Sequence, residues 1–130
     1  MSTQREIKFR ALRDDMGDCT WVYGMLIYNY EHEPRIQENT QKFLFTTCLK
    51  GTEGQYTGLR DKNGKEIYEG DVVVFDVVQG TGPNEQSAPK NVKGVVDWKP
   101  HGLGYGDWRE CYTTNVKVIG NIHENPELIK

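Results

Sequence analysis

The chain has 130 residues with a formal net charge of -3 at pH 7, and 27% of them are charged. That length fits one small domain, or one domain with an appended lobe, and the acidic balance argues against a surface built for non-specific phosphate binding. Hydrophobic residues make up 36% and aromatics 11%, which excludes disorder, and no run approaches the roughly 18 apolar residues of a membrane span.

The first eight residues, Met-Ser-Thr-Gln-Arg-Glu-Ile-Lys, lack the apolar stretch of a signal peptide, so an intracellular protein is expected. Residues 6–12 alternate polar and apolar, with Ile7, Phe9 and Ala11 on one side, and predict a half-buried strand. A polar turn follows over 13–18, in which Asp14, Asp15 and Asp18 lack the spacing of a calcium loop. Trp21-Val-Tyr-Gly-Met-Leu-Ile-Tyr28 predicts a second strand, with Gly24 marking a bulge or bend. Residues 29–41 contain Pro34 and predict a loop with room for a short strand; 42–49 predict a third strand. Gly51-Thr-Glu-Gly-Gln55 interrupts the pattern, so residues 1–54 form an N-terminal β-rich segment and 55–130 a second domain.

Leu59-Arg-Asp-Lys-Asn-Gly-Lys-Glu-Ile67 is a hairpin whose register can be argued. A two-residue Asn63-Gly64 loop sets Asp61 against Glu66, two like charges. A three-residue Lys62-Asn63-Gly64 loop sets Asp61 against Lys65 and Arg60 against Glu66, with Gly64 where a left-handed residue is wanted. The second register is expected. Gly70 then turns the backbone, Asp71 caps the turn, and residues 72–78 predict a strand apolar on both faces. A loop-rich excursion over 79–91 leads to a returning strand over 92–98. Residues 100–107 predict a Gly-rich loop, 108–113 and 116–120 two more strands, and 124–128 a helical turn entered at Pro126. Several short strands joined by hairpins predict a mainly β protein, with a small SH3-like β-barrel in the C-terminal part, an N-terminal hairpin or meander and little helix.

Three motifs resemble the YopX family of phage and prophage proteins: Glu6-Ile-Lys-Phe-Arg-Ala11, residues 55–73 around the hairpin, and Val118-Ile-Gly-Asn-Ile-His-Glu-Asn-Pro-Glu-Leu128. The resemblance implies an SH3-type C-terminal roll, no catalytic residues and no cofactor, and the cytoplasm of a bacterial host. It covers about a third of the chain directly and leaves residues 13–50 and 79–115 without a counterpart.

The candidate chemistry is sparse. Cys19, Cys48 and Cys111 are scattered, no Cys-x-x-Cys occurs, and His32, His101 and His123 lie far apart, so neither a disulfide framework nor a metal site is expected. Gly102-Leu-Gly-Tyr-Gly106 lacks the Gly-Lys-Ser/Thr ending of a phosphate loop. Glu66 and Asp71 are better used in the hairpin and the turn than in acid–base work. Trp98, Lys99, His101, Tyr105, Trp108 and Arg109 instead gather aromatic and basic groups beside a loop, as a recognition groove would. The competing assignment makes Trp98 and Tyr112 core and leaves Tyr105 exposed by chance. The expectation is a non-enzymatic phage or prophage accessory protein that binds a protein, a host factor among the candidates, and that self-associates through exposed β edges. A nucleic-acid-binding barrel using Lys90, Lys93, Lys99 and Arg109 ranks second.

Overall fold

The computed structural model describes residues 7–13, 20–38, 45–78, 89–99, 102–106 and 108–129. Asp14, Asp15, Asp18, Cys19 and residues 79–88 of the expected excursion lie outside them. The chain divides into two units, Met1–Gly58 and Leu59–Lys130. The sequence places the division after residue 54; it falls instead inside a strand.

In the first unit, alternation and β-branched content set up β1 (Phe9–Leu12), β2 (Trp21–Tyr28), β3 (Pro34–Gln37) and β4 (Thr46–Thr47), beside β5 (Gly54–Arg60). They lie in the order β4-β3-β2-β1-β5, each described neighbour pair antiparallel. Pro34 opens β3, where a missing N–H is tolerated. One face of the sheet carries Ala11, Val22, Ile36 and Cys48, all buried, with Phe9 and Leu26 packed against them.

In the second unit, β6 (Glu66–Tyr68) precedes β7 (Asp71–Val77), β8 (Val92–Lys99), β9 (Gly102–Tyr105), β10 (Trp108–Arg109) and β11 (Thr113–Asn121). The last five form an antiparallel sheet in the order β10-β9-β8-β7-β11. Val73, Phe75 and Val77 pack with Ile67, Val96, Tyr105 and Val118, while Val72, on the opposite side of β7, is fully buried as well. β7 is therefore apolar on both faces at its start, while Asp76 makes its outer face polar toward its end. The protein is mainly β, and its described helical segments are 3-10 turns at Glu110–Tyr112 and Pro126–Ile129. Each sheet has a linear strand order with two ends and does not close on itself. Two local expectations are corrected. The Gly-rich stretch read as a loop forms β9, and residues 108–113 divide into a two-residue strand and a 3-10 turn.

The hairpin adopts the three-residue loop. Asp61 N–H donates to Lys65 O at 2.8 Å, Gly64 N–H donates to Asp61 O at 2.9 Å, and Gly64 has φ +85°. Arg60 lies 3.6 Å from Glu66, as the register requires. Asp61 does more than cap the turn. Its Oδ1 accepts from Asn63 and Lys65 N–H at 2.8 and 2.9 Å, and its Oδ2 accepts from Val118 N–H at 2.9 Å. Lys62 N–H donates to Val116 O at 2.8 Å, so the loop lies along β11 like a further strand. Burial raises the Asp61 carboxyl's proton affinity, but the Val118, Lys65 and Asn63 amides and the Lys65 charge outweigh it and hold the group below its usual range.

The next turn is tied in the same way. Asp71 Oδ2 accepts from Tyr68 N–H at 2.8 Å, and Gly70, at φ +90°, donates to Val96 O while accepting from Ile122 N–H. Asn121 Oδ1 accepts from His123 and Glu124 N–H at 3.0 and 2.9 Å, turning the chain after β11.

Candidate functional site

The six residues singled out as a recognition cluster do not share one surface. Tyr105 is 1% exposed, with its ring 5.6 Å from that of Phe75. It opposes Val96 on β8 and Trp108 on β10, which places it on the core side. Burial drives its hydroxyl pKa up, and the charge of Glu110 adds to this. Trp108 is half-buried against the same core. Trp98, also half-buried, opposes Leu103 and lies on the Val96 side of β8. Arg109 is exposed and opposes Gly104, on the other face. Lys99 ends β8 opposite Gly102, and His101 lies outside the described residues. Strand alternation sends successive side chains to opposite faces, so a cluster in sequence is split in space. The competing assignment is also corrected: Tyr105 is core, while Tyr112 is 50% exposed.

The turn residues Asp61, Asn63, Gly64, Gly70 and Asp71 are occupied with architecture through the hydrogen bonds given above. Glu66 likewise accepts from Tyr68 OH at 3.0 Å.

The first unit carries a surface that sequence reasoning passed over. Tyr23, Met25 and Ile27 project from β2 on the face opposite Val22 and Leu26, each 44–48% exposed. Arg35 and Gln37 on β3 stand beside Ile27 and Met25 on that face, and Arg10 lies 4.3 Å over the Trp21 ring. The signal was present: β2 is apolar at nearly every position, more than one core face can absorb. Where β2 meets β3 the face opens into a groove of about 570 Å³ lined by Ile27, Tyr28, Tyr30, Glu31, Arg35 and Phe45 among others. Tyr28 OH donates to Glu53 Oε2 at 2.8 Å; partial burial and that carboxylate both raise the hydroxyl's pKa.

A second, polar groove of about 390 Å³ lies on the outer face of the second unit's sheet. Asp76 accepts there from Asn91 N–H at 3.0 Å and Asn115 Nδ2 at 3.1 Å, and both asparagines are left-handed, at φ +55° and +56°. These hydrogen bonds hold the Asp76 carboxyl below its usual range, aided by Lys90 and Lys62. Lys93 and Lys117 flank Val74 on the same face.

Nucleophilic chemistry finds little support at Cys48. Burial pushes its thiol up to about 11, so it is protonated at neutral pH. Among the described residues no three His, Cys, Asp or Glu side chains gather as metal ligands, and no helix is long and apolar enough to cross a membrane.

Two small antiparallel units, one carrying an exposed apolar sheet face and the other tied together by its turns, define a β protein whose recognisable motifs are structural. The YopX protein family matches residues 8–130, and the chain belongs to that family. The crystal structure of protein EF1440 from Enterococcus faecalis is similar at 23% identity with a TM-score of 0.58, covering 98% of this chain and 100% of that one. That likeness shows the fold alone. No curated protein matches the sequence.

Proposed function

We propose that this protein is a non-enzymatic accessory protein of a phage or prophage, acting in the cytoplasm of a bacterial host by binding another protein. The observation that carries the reading is the row Tyr23, Met25 and Ile27, three large apolar side chains left 44–48% exposed on one sheet face. Apolar faces rimmed by polar groups mark protein contacts, and aromatic residues, Met and Arg are enriched in them. Arg35 and Gln37 supply polar groups beside that row. Affinity capture from host lysate tests the reading. A specific protein partner retained at physiological salt supports it, and capture of single-stranded nucleic acid alone rejects it.

The C-terminal unit is the SH3-like roll of this reading. The meander β7-β8-β9-β10, a 3-10 turn and a fifth strand returning beside the first support it. A nucleic-acid-binding role for this unit has one specific observation in its favour, the lysines flanking Val74 with Lys62 in the adjoining groove. Phosphate contacts are strongest at low salt, so absence of binding at low ionic strength removes it.

A further inference from the structure

We propose that the groove at the β2–β3 end of the first unit is the contact surface of a symmetric dimer, in which Tyr30 and Glu31 of one copy enter the groove of the other and Glu31 meets Arg35. The inference rests on reading the β2 face as a protein-contact surface, and it names a second copy of this chain as the occupant of that surface's groove end.

Tyr30 is 103% exposed at the tip of the β2–β3 turn, an unusual place for a large aromatic side chain. The turn is nevertheless well held. Asn29 N–H donates to Glu33 O at 3.1 Å and His32 N–H to Asn29 O at 3.0 Å. Asn29 Oδ1 accepts from both Glu31 and Glu33 N–H at 2.9 Å, and Asn29 Nδ2 donates to Glu33 Oε1 at 2.8 Å. Tyr30 and Glu31 are thus displayed on a pre-ordered tip, which lowers the entropy lost on docking.

The groove lies against the tip, with Tyr30 and Glu31 of the same copy among its lining, and its chemistry matches what the tip of a second copy offers. Ile27, Tyr28 and Phe45 give it an apolar and aromatic lining. Arg35 also lines the groove and brings a guanidinium charge to it, and its shielded Nε has no hydrogen-bond partner among the described residues. An occupant with an aromatic ring followed by a carboxylate satisfies both features. The pair Tyr30-Glu31 has that chemistry, and a two-fold axis presents it to each groove at once. Glu33 is half-buried with Oε1 accepting from Asn29 Nδ2, whereas Glu31 is exposed, so Glu31 is the carboxylate that the tip presents to a second copy.

Light scattering on the purified full chain over a concentration series reads the outcome. The wild type is expected to double in mass as concentration rises. Arg35→Glu and Glu31→Arg each place like charges at both symmetric contacts and are expected to remain monomeric. An equimolar mixture of these two variants restores opposite charges at both contacts and is expected to recover the dimer. Tyr30→Ser alters a side chain outside the packed interior and is expected to weaken the dimer at least tenfold while leaving the thermal melt in place. A monomeric wild type overturns the proposal, as do dimeric single variants or a mixture that stays monomeric with native circular dichroism. A monomeric wild type that still captures a protein through Met25 overturns the dimer alone and leaves the reading of the face standing.

Discussion

Asp61 Oδ2 accepts the Val118 amide at 2.9 Å, a bond between residues 57 positions apart that joins a hairpin turn to the edge of a sheet. The same carboxylate holds the turn's own amides, so one side chain orders a local loop and docks it on β11. Two of the stretches that resemble the family meet at this bond, and there Asp61 serves the architecture.

Replacing Asp61 with Ala leaves the buried Val118 N–H without its acceptor and releases both turn amides. A buried donor stripped of its partner costs roughly 1–3 kcal/mol, so urea melts of Asp61→Ala should show at least that loss. Asp61→Asn keeps one acceptor oxygen and should lose less.

Acid should act through the same carboxylate. Its folded pKa is depressed, so its contribution to stability is fully present above the unfolded value of about 3.9. That contribution is lost as pH falls through the lower folded value. Comparing wild type with Asp61→Asn between pH 7 and pH 2 should show the stability gap narrowing only below about pH 4.

Gly64 sits at φ +85° with open space where a Cβ would project. Substitution there tests backbone strain without a clash. Gly64→Val should destabilise by about 1–3 kcal/mol in thermal or urea melts, and Gly64→Asn by clearly less, since Asn tolerates the left-handed region.

The hairpin was legible in the sequence because its evidence is local. Turn chemistry and the Arg60–Glu66 and Asp61–Lys65 pairings both choose one register. The docking on Val118 was not legible, since nothing near Asp61 announces a partner 57 residues on. Tyr105 misled for a related reason. Its glycine neighbours read as a mobile loop, whereas a Cβ at Gly94 would come within 2.7 Å of the Tyr105 carbonyl carbon, so glycine there permits the close approach of β8 and β9 that buries Tyr105. The β2 face was not legible, because every position along that strand but Gly24 is large and apolar or aromatic. Alternation left the choice of face open until the buried set, Ala11, Val22 and Ile36, was fixed.

Tyr105→Ala should behave as a core truncation. Large aromatic-to-alanine changes in a packed interior cost about 3–5 kcal/mol, and Tyr105→Ala should fall in that range by urea melt. Trp108, half-buried at the margin of the same core, should cost less on truncation.

The cysteines should separate by reactivity. Cys111 is exposed, while the buried Cys48 thiol, pushed up to about 11, donates to Thr46 O at 3.3 Å. Iodoacetamide at pH 8 followed by peptide mass mapping should find Cys111 alkylated and Cys48 protected until denaturant is added.

Affinity capture with three baits puts the proposed contact face to its most direct test: wild type, Met25→Asp and Arg109→Glu, each checked for a native melt. The β2 face as the contact surface predicts that Met25→Asp loses the captured protein while Arg109→Glu keeps it. Retention by Met25→Asp together with loss by Arg109→Glu would contradict that account and return the binding surface to the second unit.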